Sequence, residues 1–191
     1  MELQNVNVKF YLEDESNLEP DEFNPIFQTW IQKGLTEELL IDVADYLHVP
    51  EGPGMILIGL EADYSLDHGD GRWGLKYNRK YPQNGSNLDR LISALKTALL
   101  ACQRLEEDEH LMGKIKFQTK EFEIFINDRA LAPNSPETFE ATQGEISQAL
   151  RQLLGSTDFS LEVYSDPRSR FGVTVKASNN QSIASLLKNL S

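Results

Sequence analysis

The chain has 191 residues, 40% hydrophobic and 25% charged, with one cysteine and a formal net charge of −12. That is ordinary globular composition, long enough for one hydrophobic core, and the lone cysteine excludes an internal disulfide framework and a multi-cysteine metal site. Residues 1–113 hold 21 acidic and 9 basic residues, whereas residues 114–191 hold 9 of each. This balance repels phosphate backbones and anionic lipid, so it disfavours nucleic-acid and peripheral membrane roles and favours a neutral or basic protein partner.

The N-terminus, MELQNVNVKF, has neither a basic leader nor an apolar core, and no run of residues reaches the length a membrane span needs, so a cytoplasmic location is expected. Val6, Val8, Phe10 and Leu12 alternate with Asn5, Asn7, Lys9 and Tyr11. The period of two predicts a first strand with one buried face. After an acidic loop, Pro20 or Asn24 starts a helix with the stripe Phe23, Ile26, Phe27, Trp30 and Ile31, which Gly34 ends.

The stretch from Leu39 to Tyr81 combines the longest apolar strand signals with the densest set of Asp, Glu, His and Arg. Leu39 to Leu47 and Met55 to Asp67 read as strands separated by HVPEGPG, whose two prolines and two glycines favour a turn. Asp70-Gly71 suits the centre of a type I′ hairpin. It sets the register: Leu66 opposite Leu75, Tyr64 opposite Tyr77, Ala62 opposite Arg79, Ser65 opposite Lys76, Asp63 opposite Asn78 and Glu61 opposite Lys80. Aliphatic and aromatic residues then share one face and polar pairs the other.

Ser86, with Asp89 in the third position, begins a helix carrying Leu88, Leu91, Ile92, Leu95, Leu99, Cys102 and Leu105. Asp89, Arg90, Lys96, Gln103 and Arg104 fall on its other side, and the helix is expected to exit near Glu107. Cys102 on the apolar stripe reads as an inert buried thiol. Lys114 to Ile126 alternates with a phase break near Lys120 and Glu121, indicating a bend, a bulge or two strands. Ser135-Pro136-Glu137 starts a third helix that runs to Gly155. Phe159 to Val163 and Phe171 to Val175 form a last pair of strands, and Ser182 caps a closing helix.

The expected fold is α+β: mainly antiparallel sheet with about four helices on one face, in a single compact unit 1–191 whose parts 1–112 and 113–191 share a core. Dropping one strand from each part leaves β-α-β-β-α twice, the order a degenerate duplication would give.

The cluster Asp42, Asp45, His48, Glu51, Glu61, Asp63, Asp67, His68 and Asp70 is the richest for chemistry. Its spacing lacks any metal-binding pattern, since Asp42 and Asp45 point to opposite faces of a strand. No phosphate-cradling glycine motif and no nucleophile elbow is present, so no cofactor, metal or catalytic residue is expected. Arg72, Lys76, Arg79 and Lys80 read as a salt-bridged strand. Two functions of different class follow. The first is a non-enzymatic interaction or assembly protein that binds another protein through His48, Pro50, Glu51 and Pro53. The second is a small-molecule-binding protein or enzyme with a pocket bordered by Asp42, Tyr46, His48, His68 and Arg72.

The run DVADYLHVPEGPGMILIGLEADYSLD, with FNPIFQTWIQ before it, LKYNRK after it and INDRALAPNSPETFEA further on, resembles a bacterial family without an assigned activity, associated with cyanobacteria and planctomycetes. The resemblance implies a bacterial cytosolic protein and carries over no catalytic residue.

Overall fold

The central strand β1 (Val6–Leu12) pairs antiparallel on both sides, with β5 (Gly74–Arg79) and with β6 (Phe117–Ile126). Around it the computed structural model, which describes residues 1–111 and 113–191, builds one eight-stranded antiparallel sheet. The remaining strands are β2 (Leu40–Tyr46), β3 (Gly54–Gly59), β4 (Ala62–Asp67), β7 (Phe159–Val163) and β8 (Gly172–Ala177), and the order is β2-β3-β4-β5-β1-β6-β8-β7. Helices α1 (Phe23–Lys33), α2 (Asn87–Glu106), α3 (Pro136–Leu154) and α4 (Ile183–Asn189) cover one face of the sheet. The architecture is the expected α+β one.

Helix boundaries follow the capping chemistry. Ser86 and Asp89 form a reciprocal capping box, Ser135 and Ser182 each accept a backbone N–H, and Gly34 and Gly155 take the left-handed conformation after α1 and α3. A 3-10 turn over Pro20–Glu22 leads into α1. The core lies between sheet and helices and is continuous from Leu3 to Leu186. Phe10 stacks on Phe122 with ring centroids 4.8 Å apart, and Trp30 meets Tyr64 edge-on. Cys102 is buried inside this core, which pushes its thiol pKa up and keeps it inert.

The β4–β5 hairpin has the expected register, with Leu66 opposite Leu75 and Tyr64 opposite Tyr77. Beyond its end the Lys80 N–H donates to the Glu61 carbonyl. Three other expectations are corrected, and one left open is resolved. Met55 to Asp67 is two strands, because the chain reverses at Leu60-Glu61. The turn is tight enough that a Cβ on Gly59 would lie 2.3 Å from the Ala62 carbonyl oxygen, and this glycine is the one sequence signal for it. Of the three readings of the 114–126 phase break, the bulge is the observed one: the segment is a single strand from Phe117 with a register shift opposite Phe10–Leu12. Arg90 is not on a solvated helix face: it is buried and donates to the carbonyls of Leu3 and Gln83. Finally, β1 is buried on both faces, Asn7, Lys9 and Tyr11 included.

The two parts of the chain meet where β1 lies antiparallel to β6, each being the first strand of its part. The sequence β6-α3-β7-β8-α4 is β-α-β-β-α, and β1-α1-β4-β5-α2 has the same order and the mirrored neighbours in the sheet. The hairpin β2–β3 has no counterpart in the second part and extends the sheet on the side of the first.

Candidate functional site

The open face of the sheet carries a closed charge network. Alternation puts Lys9 and Tyr11 of β1, Asp67 of β4, Lys76 of β5 and Glu121 and Glu123 of β6 on the side away from the helices. The β4–β5 turn folds back over β1 from one side. From the other side Arg170 lies 4.5 Å from the centre of the Phe125 ring, and Tyr164 packs where a Cβ on Gly172 would stand. The first loop binds the buried Lys9 directly, and the second borders the cavity beside it. The Lys9 ammonium donates to Asp67 at 2.9 Å, to Asp70 at 2.5 Å and to the Arg72 carbonyl at 2.8 Å. Lys76 also pairs with Asp67, the Tyr11 hydroxyl donates to Asp70, and Arg72 sits over the Tyr11 ring while pairing with Glu121 at 2.5 Å.

An ammonium has three protons, and here each has an acceptor. Lys9 therefore has neither a free lone pair nor a spare donor with which to act as base, nucleophile or ligand anchor. Burial raises the Asp67 carboxyl pKa, but Lys76 and Lys9 outweigh it and hold it below the usual range. Asp70 is likewise raised by burial and lowered on balance by Lys9 and by the Tyr11 hydroxyl. Burial, with Glu123 and Asp70 nearby, drives the Tyr11 hydroxyl far above its ordinary value, so it stays a donor. The network works as a clamp joining β1, β4, β5 and the turn.

Because both carboxyl pKa values are lower folded than unfolded, their stabilisation is present above the unfolded value of about 3.9 and disappears as pH falls through the folded values. Denaturant midpoints measured from about pH 6 to about pH 2 should fall below about pH 4. The fall should be shallower in Asp70→Asn, and an identical slope would remove Asp70 from the linkage.

The four basic residues of the hairpin are all paired, as expected: Arg72 with Glu121, Lys76 with Asp67, Arg79 with Glu61 and Lys80 with Asp63. Three residues of the pocket-bordering set have partners outside the set. Asp42 is exposed and its carboxylate accepts the Val43 N–H; His68 stacks on Trp73 with centroids 4.5 Å apart; Arg72 faces Tyr11 and Glu121; Tyr46 and His48 are exposed on and after β2. No hydrogen bond joins any two of the five, and among the described residues no three His, Cys, Asp or Glu side chains gather as a metal group.

The turn between β2 and β3 has His48, Val49, Pro50 and Glu51 exposed and Pro53 half-buried. It is built by Val49 N–H donating to the Tyr46 carbonyl, Gly52 N–H to the Val49 carbonyl and Leu47 N–H to the Asp45 carboxylate. Glu51 takes a positive φ of 52°, a conformation unusual for a residue other than glycine, so the turn is held in one shape by these bonds and its prolines. It continues into β2, an outer strand of the sheet. Leu39, Ile41, Tyr46, Val49 and Leu60 are exposed here, five of the nine exposed large hydrophobics among the described residues. Residues 34–71 also contain nine acidic residues and no Lys or Arg; Glu61, Asp63, Asp67 and Asp70 pair with Lys9, Lys76, Arg79 and Lys80, and the other five, Glu37, Glu38, Asp42, Asp45 and Glu51, make no ion pair among the described residues.

This concentration was legible in the sequence only as an absence of cations, because the alternation does not say which strand forms the edge. Comparison with family models, characterised proteins and solved structures found no match.

Proposed function

We propose that the protein acts by binding another protein, not as a catalyst, through the β2 edge and the turn from His48 to Pro53. The observation that carries this reading is the presence of five exposed apolar side chains along and beside β2, together with five acids, Glu37, Glu38, Asp42, Asp45 and Glu51, that make no ion pair among the described residues. Scattered exposed hydrophobics need no explanation, whereas here Leu39, Ile41 and Leu60 gather at one end of β2 and Tyr46 and Val49 at the other, where they can serve an interaction surface. The occupant is a surface that is basic and partly apolar.

Docking is through side chains and not by addition of a ninth strand. The register of β2 shifts between Leu40 and Asp42, and the Val43 N–H is taken by the Asp42 carboxylate, two devices that blunt an edge against strand pairing. Pro50 and Pro53 restrict the turn before contact, so less ordering entropy is lost on binding. No helix among the described residues is long and apolar enough to cross a membrane, so nothing in the helices competes with this surface for a bilayer.

The test is affinity capture from the native host with quantitative mass spectrometry, comparing wild type, Ile41→Lys/Val49→Lys and His48→Ala/Glu51→Ala. All four residues are exposed, so the variants should melt within about 0.5 kcal/mol of wild type. A partner retained by wild type, released by salt and lost from the lysine variant is the expected result. Equal recovery of every captured protein by all three would refute the proposal.

A further inference from the structure

The helix layer has a gap. Eight strands spaced about 4.8 Å apart present a face roughly 34 Å wide. Helix α2 packs on β1 and β5 and against α3 and α4, while α1 packs on β2 and β3. Over β4 the two helices leave a groove of 390 Å³. One wall is a face of α2 with Ile92, Lys96, Thr97, Leu100 and Arg104 at helical spacing; the other is the segment from Leu35 to Glu38, and Tyr64 forms the floor.

The free cations of this groove are on its α2 wall. The Glu38 carboxylate accepts from the Tyr64 hydroxyl at 2.7 Å and from the Tyr77 hydroxyl at 3.3 Å. Burial and the neighbouring Glu38 push both phenol pKa values above their ordinary value, so both remain donors. Asp89 is engaged with Ser86 in the α2 cap, and Glu37 is exposed. Four groups make no hydrogen bond or ion pair among the described residues: the exposed Glu37 carboxylate on one wall and, on the α2 wall, the Lys96 ammonium, the Arg104 guanidinium and the Thr97 hydroxyl. The exposed Leu100 lies between Lys96 and Arg104 along α2, and Leu35 and Ile92 add apolar surface to the walls.

Unused cationic donors beside an apolar wall, in a space of the size that holds small molecules, fit an amphipathic anion. We infer that this groove binds a small carboxylate with an aliphatic body, its head paired with Arg104 and its tail along Leu100. Arg104 is one helical turn, about 6 Å, from Leu100, so head and tail contacts fall within one short chain. This site is separate from the β2 edge and does not depend on it.

Decanoate, kept below its micellar concentration, is the probe, with decanol as the uncharged control and titration calorimetry as the readout. Wild type should bind decanoate saturably at one site and decanol at least tenfold more weakly. Arg104→Gln and Leu100→Ser should each weaken decanoate about tenfold. Arg104 has no partner and Leu100 is exposed, so both variants should keep the wild-type melting temperature. Absence of saturable binding, equal affinity for decanol, or unchanged affinity in Arg104→Gln overturns the inference.

Discussion

Replacing Lys9 by Met should cost about 3–5 kcal/mol in urea unfolding, the range for removing one partner of a buried ion pair. The substitution keeps the apolar stem of the side chain and removes only the charge. Asp67, nearly inaccessible to solvent, would keep Lys76 but lose one of its two cations; Asp70 and the Arg72 carbonyl would lose the donor that closes the turn onto β1. Adding Asp67→Leu should recover part of the loss, because an apolar pair in place of a buried ion pair is often neutral or better. A cost below about 1 kcal/mol for Lys9→Met would mean that the network is surface decoration and not the clamp inferred from its burial.

Gly54→Ala should be comparably damaging, for a different reason. Gly54 has φ +67°, and a Cβ there would stand 1.9 Å from the Leu66 carbonyl oxygen and 3.2 Å from the Trp73 ring. Left-handed backbone in a residue other than glycine costs about 1–2 kcal/mol by itself, and displacing the β4 backbone from β3 adds to that, giving a loss of about 3 kcal/mol or more. Gly71 separates the two terms. It has φ +80° with no neighbour within 4 Å, so Gly71→Ala should lose only the conformational part. Equal denaturant midpoints for the two variants would contradict the steric argument. Because Gly54 ends the turn and begins β3, Gly54→Ala should also disturb the proposed binding surface, which Gly71→Ala should leave intact.

What could be read from the sequence was local. The β4–β5 register followed from Asp70-Gly71 and strict alternation, and the ends of α2, α3 and α4 followed from Ser86, Ser135 and Ser182, since each feature depends on neighbours within a few residues. Burial of Lys9 was not legible. Its alternation is that of any half-exposed strand, and the loops that bind and border it come from about 60 and 160 residues further along the chain. Arg90 reads as solvated for the same reason, since its acceptors at Leu3 and Gln83 are brought to it by tertiary structure. The division of Met55 to Asp67 was hidden because Leu60-Glu61 lacks turn residues and Gly59 alone permits the close approach. At the candidate surface the HVPEGPG turn was visible from its prolines and glycines. The apolar edge beside it was not, because Leu39, Ile41 and Leu60 resemble core residues until the sheet order leaves β2 outermost.

The central claim is that the β2 edge and its turn are where a basic protein partner sits. Backbone hydrogen exchange of the protein alone and bound to its captured partner tests this most directly. The claim predicts slowed exchange in residues 39–53, with β7 at the opposite edge unchanged. Protection confined to β7 or to the α2 groove, with residues 39–53 exchanging as in the free protein, would contradict it.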